Sequence, residues 1–224
     1  PDTGSDIFTA TPIRVGTRVY INNPQGERVG FTFKPVPFQA SFFGTSYRAV
    51  FEPDPGVYDK LDYDGPAGEF SILPNGEARV FLFGFAWNPD DYVLTTPSGT
   101  KYRYDQRTEL KDITDLNSNK VTFSNTAITH SSGQSIQIVR DAENRVTKLI
   151  DPAGKEIAYG YNATGDLISV KDQQANTTTM SYLANPAHYL DEIRDPLGRR
   201  AVKTEYDANG RVIAITDANG VRVE

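Results

Sequence analysis

From residue 102 to the last residue, apolar and polar positions recur on a fixed period. An Asp or Asn follows a large residue in Tyr104-Asp105, Arg140-Asp141, Tyr161-Asn162 and Tyr206-Asp207. Ten residues after each comes a second anchor, at Asp115, Asp151, Asp172 and Asp217, and a degenerate copy keeps that offset from Asn185 to Asp195. Five residues past the first anchor stand Leu110, Val146, Leu167, Leu190 and Val212, and eight past it stand Ile113, Leu149, Val170, Ile193 and Ile215. A spacing of three between columns suits a helix turn, but only about five residues separate the flanking turns, too few for a helix of roughly ten or more. The pattern predicts a strand with one added residue, a β-bulge that turns both columns to the same face. Successive second anchors lie 36, 21, 23 and 22 residues apart, so the period is about 22 and residues 118–135 read as an insertion.

The anchors make sense as turns. Asp and Asn side chains fold back onto backbone N–H groups, and Gly supplies positive φ. Asn209-Gly210, Asn219-Gly220 and Thr164-Gly165 are hairpin signals between apolar strands. Asp151-Pro152-Ala153-Gly154 and Asp195-Pro196-Leu197-Gly198 add a Pro that presets φ. The stretches Asp172-Gln-Gln-Ala and Asp115-Leu-Asn-Ser lack both Pro and Gly, and Asn185 has no Tyr before it. Each unit reads as turn, strand, turn, strand, with hairpins stacked edge to edge so that each covers the open edge of the last. The tyrosines Tyr104, Tyr161, Tyr182 and Tyr206 are expected to pack along the sheet.

Residues 1–93 carry no clear copy of the unit yet are equally rich in strand signals. The runs 14–21 and 27–33 read as a hairpin around Asn22-Asn-Pro-Gln-Gly26, and a strand is expected over 78–83 after the turn at Pro74-Asn75-Gly76. Pro35, Pro37, Pro53, Pro55 and Pro66 exclude long helices. One helical turn at most fits 186–194. Phe31, Phe33, Phe38, Phe42, Phe43, Phe81, Phe83 and Phe85 read as core or plug material.

The segments Tyr206-Asp-Ala-Asn-Gly-Arg-Val-Ile-Ala-Ile-Thr-Asp217-Ala-Asn-Gly220 and Arg194-Asp-Pro-Leu-Gly-Arg199 resemble YD repeats of the RHS (rearrangement hotspot) family. That family takes in bacterial polymorphic toxins, the C component of insecticidal toxin complexes and the animal teneurins. The resemblance covers residues 94–224, including the lead-in Thr95-Thr-Pro-Ser-Gly-Thr-Lys-Tyr102-Arg-Tyr104-Asp105. It implies an all-β fold of stacked antiparallel β-hairpin repeats forming a continuous curved sheet, part of a hollow β-shell. Two regions follow: a non-repetitive β-rich region over 1–93, and about five repeats over 94–224 with the last truncated. The chain would be a non-catalytic structural fragment of a large polypeptide whose shell encloses or presents a C-terminal cargo or toxin. Its partners would be the rest of that polypeptide and the cargo, and its place secreted or at the cell surface. The family's self-cleaving core motif is not in these residues, so no catalytic residue carries over.

Composition narrows the field further. Hydrophobic residues are 38% and charged residues 23%, which excludes a disordered tail. The longest apolar stretch, residues 80–87, is far short of the roughly 20 residues of a membrane-spanning helix. A net charge of −6 argues against a nucleic-acid partner. The absence of Cys removes disulfides, zinc–thiolate sites and thiol nucleophiles. A chain beginning at Pro1 and ending at Glu224 within a repeat is expected to be a piece of a longer one.

Three groups invite a chemical reading. His130 beside Ser131 and Ser132 suggests a hydrolase, but no orienting acid or Gly-x-Ser-x-Gly elbow accompanies them, and a polar loop accounts for them; His188 is read as a turn residue. The carboxylates Glu52, Asp54, Asp59, Asp62 and Asp64 invite Ca²⁺, yet their spacing matches no calcium loop. Asp90 and Asp91 suggest glycoside hydrolysis, but neighbours on a strand point to opposite faces. The expectation is no catalytic residue, no metal and no cofactor. Two rivals to the shell reading remain: an adhesion or carbohydrate-binding module that uses exposed aromatics to meet cell-surface proteins or glycans, and a glycoside hydrolase. The residues expected to matter are the turn anchors Asp105, Asp115, Asp141, Asp151, Asn162, Asp172, Asp195, Asp207 and Asp217, together with the two aliphatic columns.

Overall fold

A computed structural model of the chain describes residues 12–23, 25–64, 69–105 and 109–224, and among these every regular element is a β-strand. Packing divides the chain into two compact units, residues 1–123 with 130–132, and residues 124–129 with 133–224. That division follows contacts, whereas a division at 93 and 94 follows sequence periodicity.

One sheet of the first unit runs in the spatial order β1 (Arg18–Asn22), β2 (Arg28–Phe33), β5 (Phe51–Pro53), β6 (Lys60–Asp64), β9 (Asp91–Thr95), β10 (Lys101–Asp105), β11 (Glu109–Thr114) and β12 (Lys120–Phe123), every pair antiparallel. A second sheet holds β3 (Val36–Ser41), β4 (Gly44–Arg48), β7 (Phe70–Ile72) and β8 (Ala78–Val80). Alternation in β2 sends Phe31 and Phe33 inward, where both are fully buried. Phe70 of the other sheet meets them, and Trp87 lies flat against Phe70 at 4.2 Å and against Phe33 at 5.7 Å. Leu61, Tyr92 and Leu94 complete this core.

Two expectations for this unit need correction. Phe38, Phe42, Phe43 and Phe83 are not core: Phe42 is 98% exposed and Phe43 74%, at the tip of the β3–β4 hairpin. A two-residue tip has no second layer to cover it, so ring chemistry alone does not bury a side chain there. The strand expected over 78–83 stops at Val80, because Leu82 and Gly84 take positive φ and the Gly84 N–H turns back onto the Val80 carbonyl.

The second unit is simpler. Its strands are β13 (Ala127–His130), β14 (Ser135–Arg140), β15 (Val146–Ile150), β16 (Glu156–Tyr161), β17 (Leu167–Lys171), β18 (Thr177–Tyr182), β19 (Leu190–Arg194), β20 (Arg200–Tyr206), β21 (Val212–Asp217) and β22 (Arg222–Val223). Each pairs antiparallel with its neighbour in sequence. Such short connections keep every contact local, the arrangement that lets repeats add one at a time. The expected insertion over 118–135 contains β12, a turn at 124–126 and β13. The long gap between Asp115 and Asp151 thus holds four strands where later gaps hold two, an extra shortened period whose turn residues are Ser rather than Asp.

The register slips by one residue at the same place in each copy. Tyr161 faces Leu167 but Gly160 faces Ser169, leaving Ile168 as the added residue. The same slip falls next to Tyr104, Arg140, Tyr182 and Tyr206. It brings the fifth and eighth positions to one face, where Tyr159 opposes Val170 and Met180 opposes Ile193. The columns are half-buried from Leu110 to Ile193, while Val212 and Ile215 of the last copy are exposed. The other face is polar and carries ion pairs such as Lys148–Glu156 at 2.9 Å and Arg222–Glu205 at 3.0 Å.

Candidate functional site: the turn and tyrosine of each repeat

Each anchor builds the same five-residue turn. At Asp151 the backbone N–H donates to the Lys155 carbonyl and the Gly154 N–H donates back to the Asp151 carbonyl, both at 2.9 Å. The carboxylate oxygen Oδ1 then accepts the N–H groups of Ala153 and Lys155, each at 2.9 Å. One side-chain atom therefore satisfies two backbone donors that the strands leave unpaired. Asp115, Asp141, Asn162, Asp172, Asp195, Asp207 and Asp217 repeat this geometry. Residues 106–108, where the turn after Asp105 is expected, lie outside the described residues, while Asp105 itself is buried within 3.6 Å of the Lys111 ammonium.

The fourth turn residue must take positive φ. Gly fills that place at Gly154, Gly165, Gly198, Gly210 and Gly220, but Ser118, Asn144 and Ala175 are forced into it at φ 66°, 64° and 68°. The turns without Gly therefore keep the geometry and carry strain. Left-handed backbone costs a residue with a Cβ about 1–2 kcal/mol, and Gly returns about 0.4–1 kcal/mol of that through the entropy of the unfolded chain. Ala175→Gly is expected to raise stability by about 0.5–1 kcal/mol in a denaturant melt. Ala153→Gly, at a turn position of ordinary φ, should lower it. A gain from both would show that turn strain is not the cause.

Hydrogen bonding also favours the charged form of three anchors. The Asn119 amide holds the Asp115 carboxyl below its ordinary value of 3.8, Asn176 does the same for Asp172, and Arg199 for Asp195. A carboxyl depressed in the folded state contributes stability that is complete above the unfolded value and is lost as pH falls through the folded one. Melting midpoints should thus be level above about pH 4–5 and drop as pH falls below that. In Asp172→Asn the drop should be smaller, because one of the titrating groups has gone.

The tyrosine before the anchor ties each copy to the one before. Tyr161 Oη donates to the Val146 carbonyl at 2.8 Å, Tyr182 to Leu167 at 2.8 Å and Tyr206 to Leu190 at 2.9 Å. Tyr104 reaches the Asn22 carbonyl at 2.9 Å. Where Arg140 replaces the tyrosine, its Nε reaches the Asn125 carbonyl at 3.1 Å. In the degenerate copy the residue after the tyrosine is Leu183, whose N–H donates to Tyr189, so Leu183 rather than Asn185 occupies the anchor's place in a longer loop.

The turns expected in the first unit at 22–26 and 74–76 have the same geometry as those of the repeats. Asn23 Oδ1 accepts the N–H groups of Gln25 and Glu27, and residues 73–77 and 96–100 make the same pair of backbone bonds. The likeness is visible in the sequence, since Asn23-Pro24-Gln25-Gly26 has the form of Asp195-Pro196-Leu197-Gly198.

The groups considered for chemistry are dispersed. His130 Nδ1 lies 2.8 Å from Ser132 Oγ and accepts the Ser132 N–H, with His130 half-buried and Ser132 exposed, while Ser131 Oγ accepts the Lys120 N–H. His188 Nδ1 lies 2.6 Å from Asp166 at a turn. Of the acidic segment, Glu52 pairs with Lys34, Asp54 with Arg18 and Asp64 with Arg103, and Asp62 accepts the Tyr63 N–H. Asp91 pairs with Lys111 at 2.7 Å, and Asp90 stands exposed beside it. Among the described residues no three His, Asp or Glu side chains converge as metal ligands.

A family described as RHS Repeat matches residues 140–179 and 191–222. No curated protein matches the sequence. Among solved structures, the chain is similar to the crystal structure of TcdB2-TccC3-TEV at 16% identity and TM-score 0.36, covering 92% of this chain and 12% of that one. It is similar also to a Photorhabdus luminescens Tc holotoxin pore carrying a TccC3 mutation, at 15% identity and TM-score 0.36, over 92% of this chain and 11% of that one. The chain spans only a small part of the length of either neighbour.

Proposed function

Residues 140–179 and 191–222 match the RHS-repeat family, and from that premise we propose that the chain is a stretch of non-catalytic wall in a larger RHS polypeptide, secreted or displayed at the cell surface, whose shell encloses a C-terminal cargo. One observation carries the reading. In copy after copy the side chain before the first anchor is used to bond the preceding copy, and one oxygen of the anchor side chain is held by its own turn. Residues spent on joining copies and closing turns are what a wall needs. The turn anchors and the two aliphatic columns are then structural parts. The first unit, with its aromatic core, stiffens the region that precedes the repeats.

Limited proteolysis of the full natural polypeptide tests this. Segments beyond the repeats should resist protease until denaturant opens the wall. Cleavage of those segments at the rate of the isolated segment would sink enclosure. Turnover of an ester or glycoside substrate by this chain, lost in His130→Ala or Asp90→Asn, would sink the non-catalytic reading.

A further inference from the structure

In the first unit β1–β2, β5–β6 and β9–β10 lie side by side, so the turns that join them meet at one edge of the sheet. Between these turns is a cavity of about 430 Å³. Val57 and Pro97 give it apolar wall, Tyr58 and Tyr102 give it rings, and Glu27 and Asp59 give it carboxylates. No Lys or Arg is among its lining residues. Tyr58 is 83% exposed. Burial, and then the charge of Glu27, push the Asp59 carboxyl up from its ordinary value. Two like charges at one edge, with no cation between them, attract a positive group.

The mixed lining narrows that group. An apolar wall beside carboxylates and rings matches a side chain with an aliphatic stem and a charged head. The second unit shows what such a head does beside a Tyr and an Asp: the Arg145 guanidinium lies over the Tyr161 ring at 4.6 Å and pairs with Asp141 at 2.7 Å. In the first unit the Arg28 guanidinium covers Tyr20 at 4.4 Å in the same manner. A planar guanidinium can stack on a ring and still bond a carboxylate at its edge, which a compact ammonium does less well. We propose that the cavity between the three turns receives an arginine side chain from a partner polypeptide, with Asp59 and Glu27 taking the guanidinium and Tyr58 closing over it. This goes beyond a wall role, giving one edge of the first unit a docking function.

Calorimetric titration of the full chain with a tetra-arginine peptide tests it, at fixed ionic strength. Asp59→Asn and Tyr58→Ala should each weaken binding about five- to tenfold, and tetra-lysine should bind several-fold more weakly than tetra-arginine. Asp90→Asn, at the opposite end of β9, should leave binding unchanged. Trp87 fluorescence reports that each variant is folded, and the exposed Tyr58 makes its replacement safe for the fold. Equal loss in Asp90→Asn and Asp59→Asn would reduce the effect to general attraction by an acidic chain and overturn the proposal. Equal affinity for both peptides would overturn the guanidinium assignment. Binding of Ca²⁺ or maltotetraose, abolished by Asp59→Asn while the peptide fails to bind, would give the cavity to another ligand.

Discussion

Phe33→Ala is expected to remove about 3–5 kcal/mol from the stability of the first unit, the range for emptying a fully buried aromatic site. The ring is wholly buried and touches Phe51 at 5.5 Å, Phe70 at 6.0 Å and Trp87 at 5.7 Å. Those neighbours come from β5, β7 and the segment before β9, so they cannot all close in on the space without pulling two sheets out of register. The chain has one Trp, and it sits in this core, so its fluorescence reports unfolding of the first unit alone. The midpoint read by Trp87 should fall sharply. Phe43→Ala, at an exposed hairpin tip, should leave it within about 0.5 kcal/mol. Similar losses from the two changes would mean that the aromatic cluster does not hold the two sheets together.

The contrast between those two phenylalanines marks how far a sequence can be read. The turns were legible because their chemistry is local: Asp or Asn at one end and Gly near the other determine the hydrogen bonds within five residues. The bulge was legible because two aliphatic columns three residues apart, in a segment too short for a helix, require an added residue. The pairings β2–β5 and β6–β9 were not legible, because β3–β4 and β7–β8 leave for a second sheet between them and no short-range signal says so. Hence Phe33 and Phe42, identical as letters and both in β-rich sequence, end at opposite extremes of burial. The tyrosine hydrogen bonds were hidden for a related reason. Their acceptor is a backbone carbonyl of the preceding copy, and every residue type presents one. The cavity at the three turns escaped as well, since Glu27 and Asp59 become neighbours only through strand pairing.

The two Gly→Ala changes at equivalent turn positions should differ, and the difference isolates a contact that the repeat pattern does not contain. Gly154 has φ 81° and open space where a Cβ would stand, so Gly154→Ala should cost only the left-handed penalty less the entropy that Ala saves in the unfolded chain, about 0.5–1 kcal/mol. Gly210 has φ 78°, but a Cβ there would run into the Tyr189 ring, with Cζ at 2.8 Å and the hydroxyl closer still. Tyr189 belongs to the long loop of the degenerate copy and packs edge-on against Tyr206 at 4.9 Å. It can swing away only by giving up that ring contact, worth about 0.5–1.5 kcal/mol. Gly210→Ala should therefore cost about 1–2.5 kcal/mol. In a Tyr189→Ala background the extra loss should vanish and the two glycines should behave alike. Equal effects in the parent chain would mean that Tyr189 does not lean on the Asp207 turn. An extra loss that persists without Tyr189 would place its origin in the turn's backbone instead. The expected pattern would show that the degenerate copy is held in the array through its loop tyrosine, which takes over the stabilising work that the anchor does in other copies.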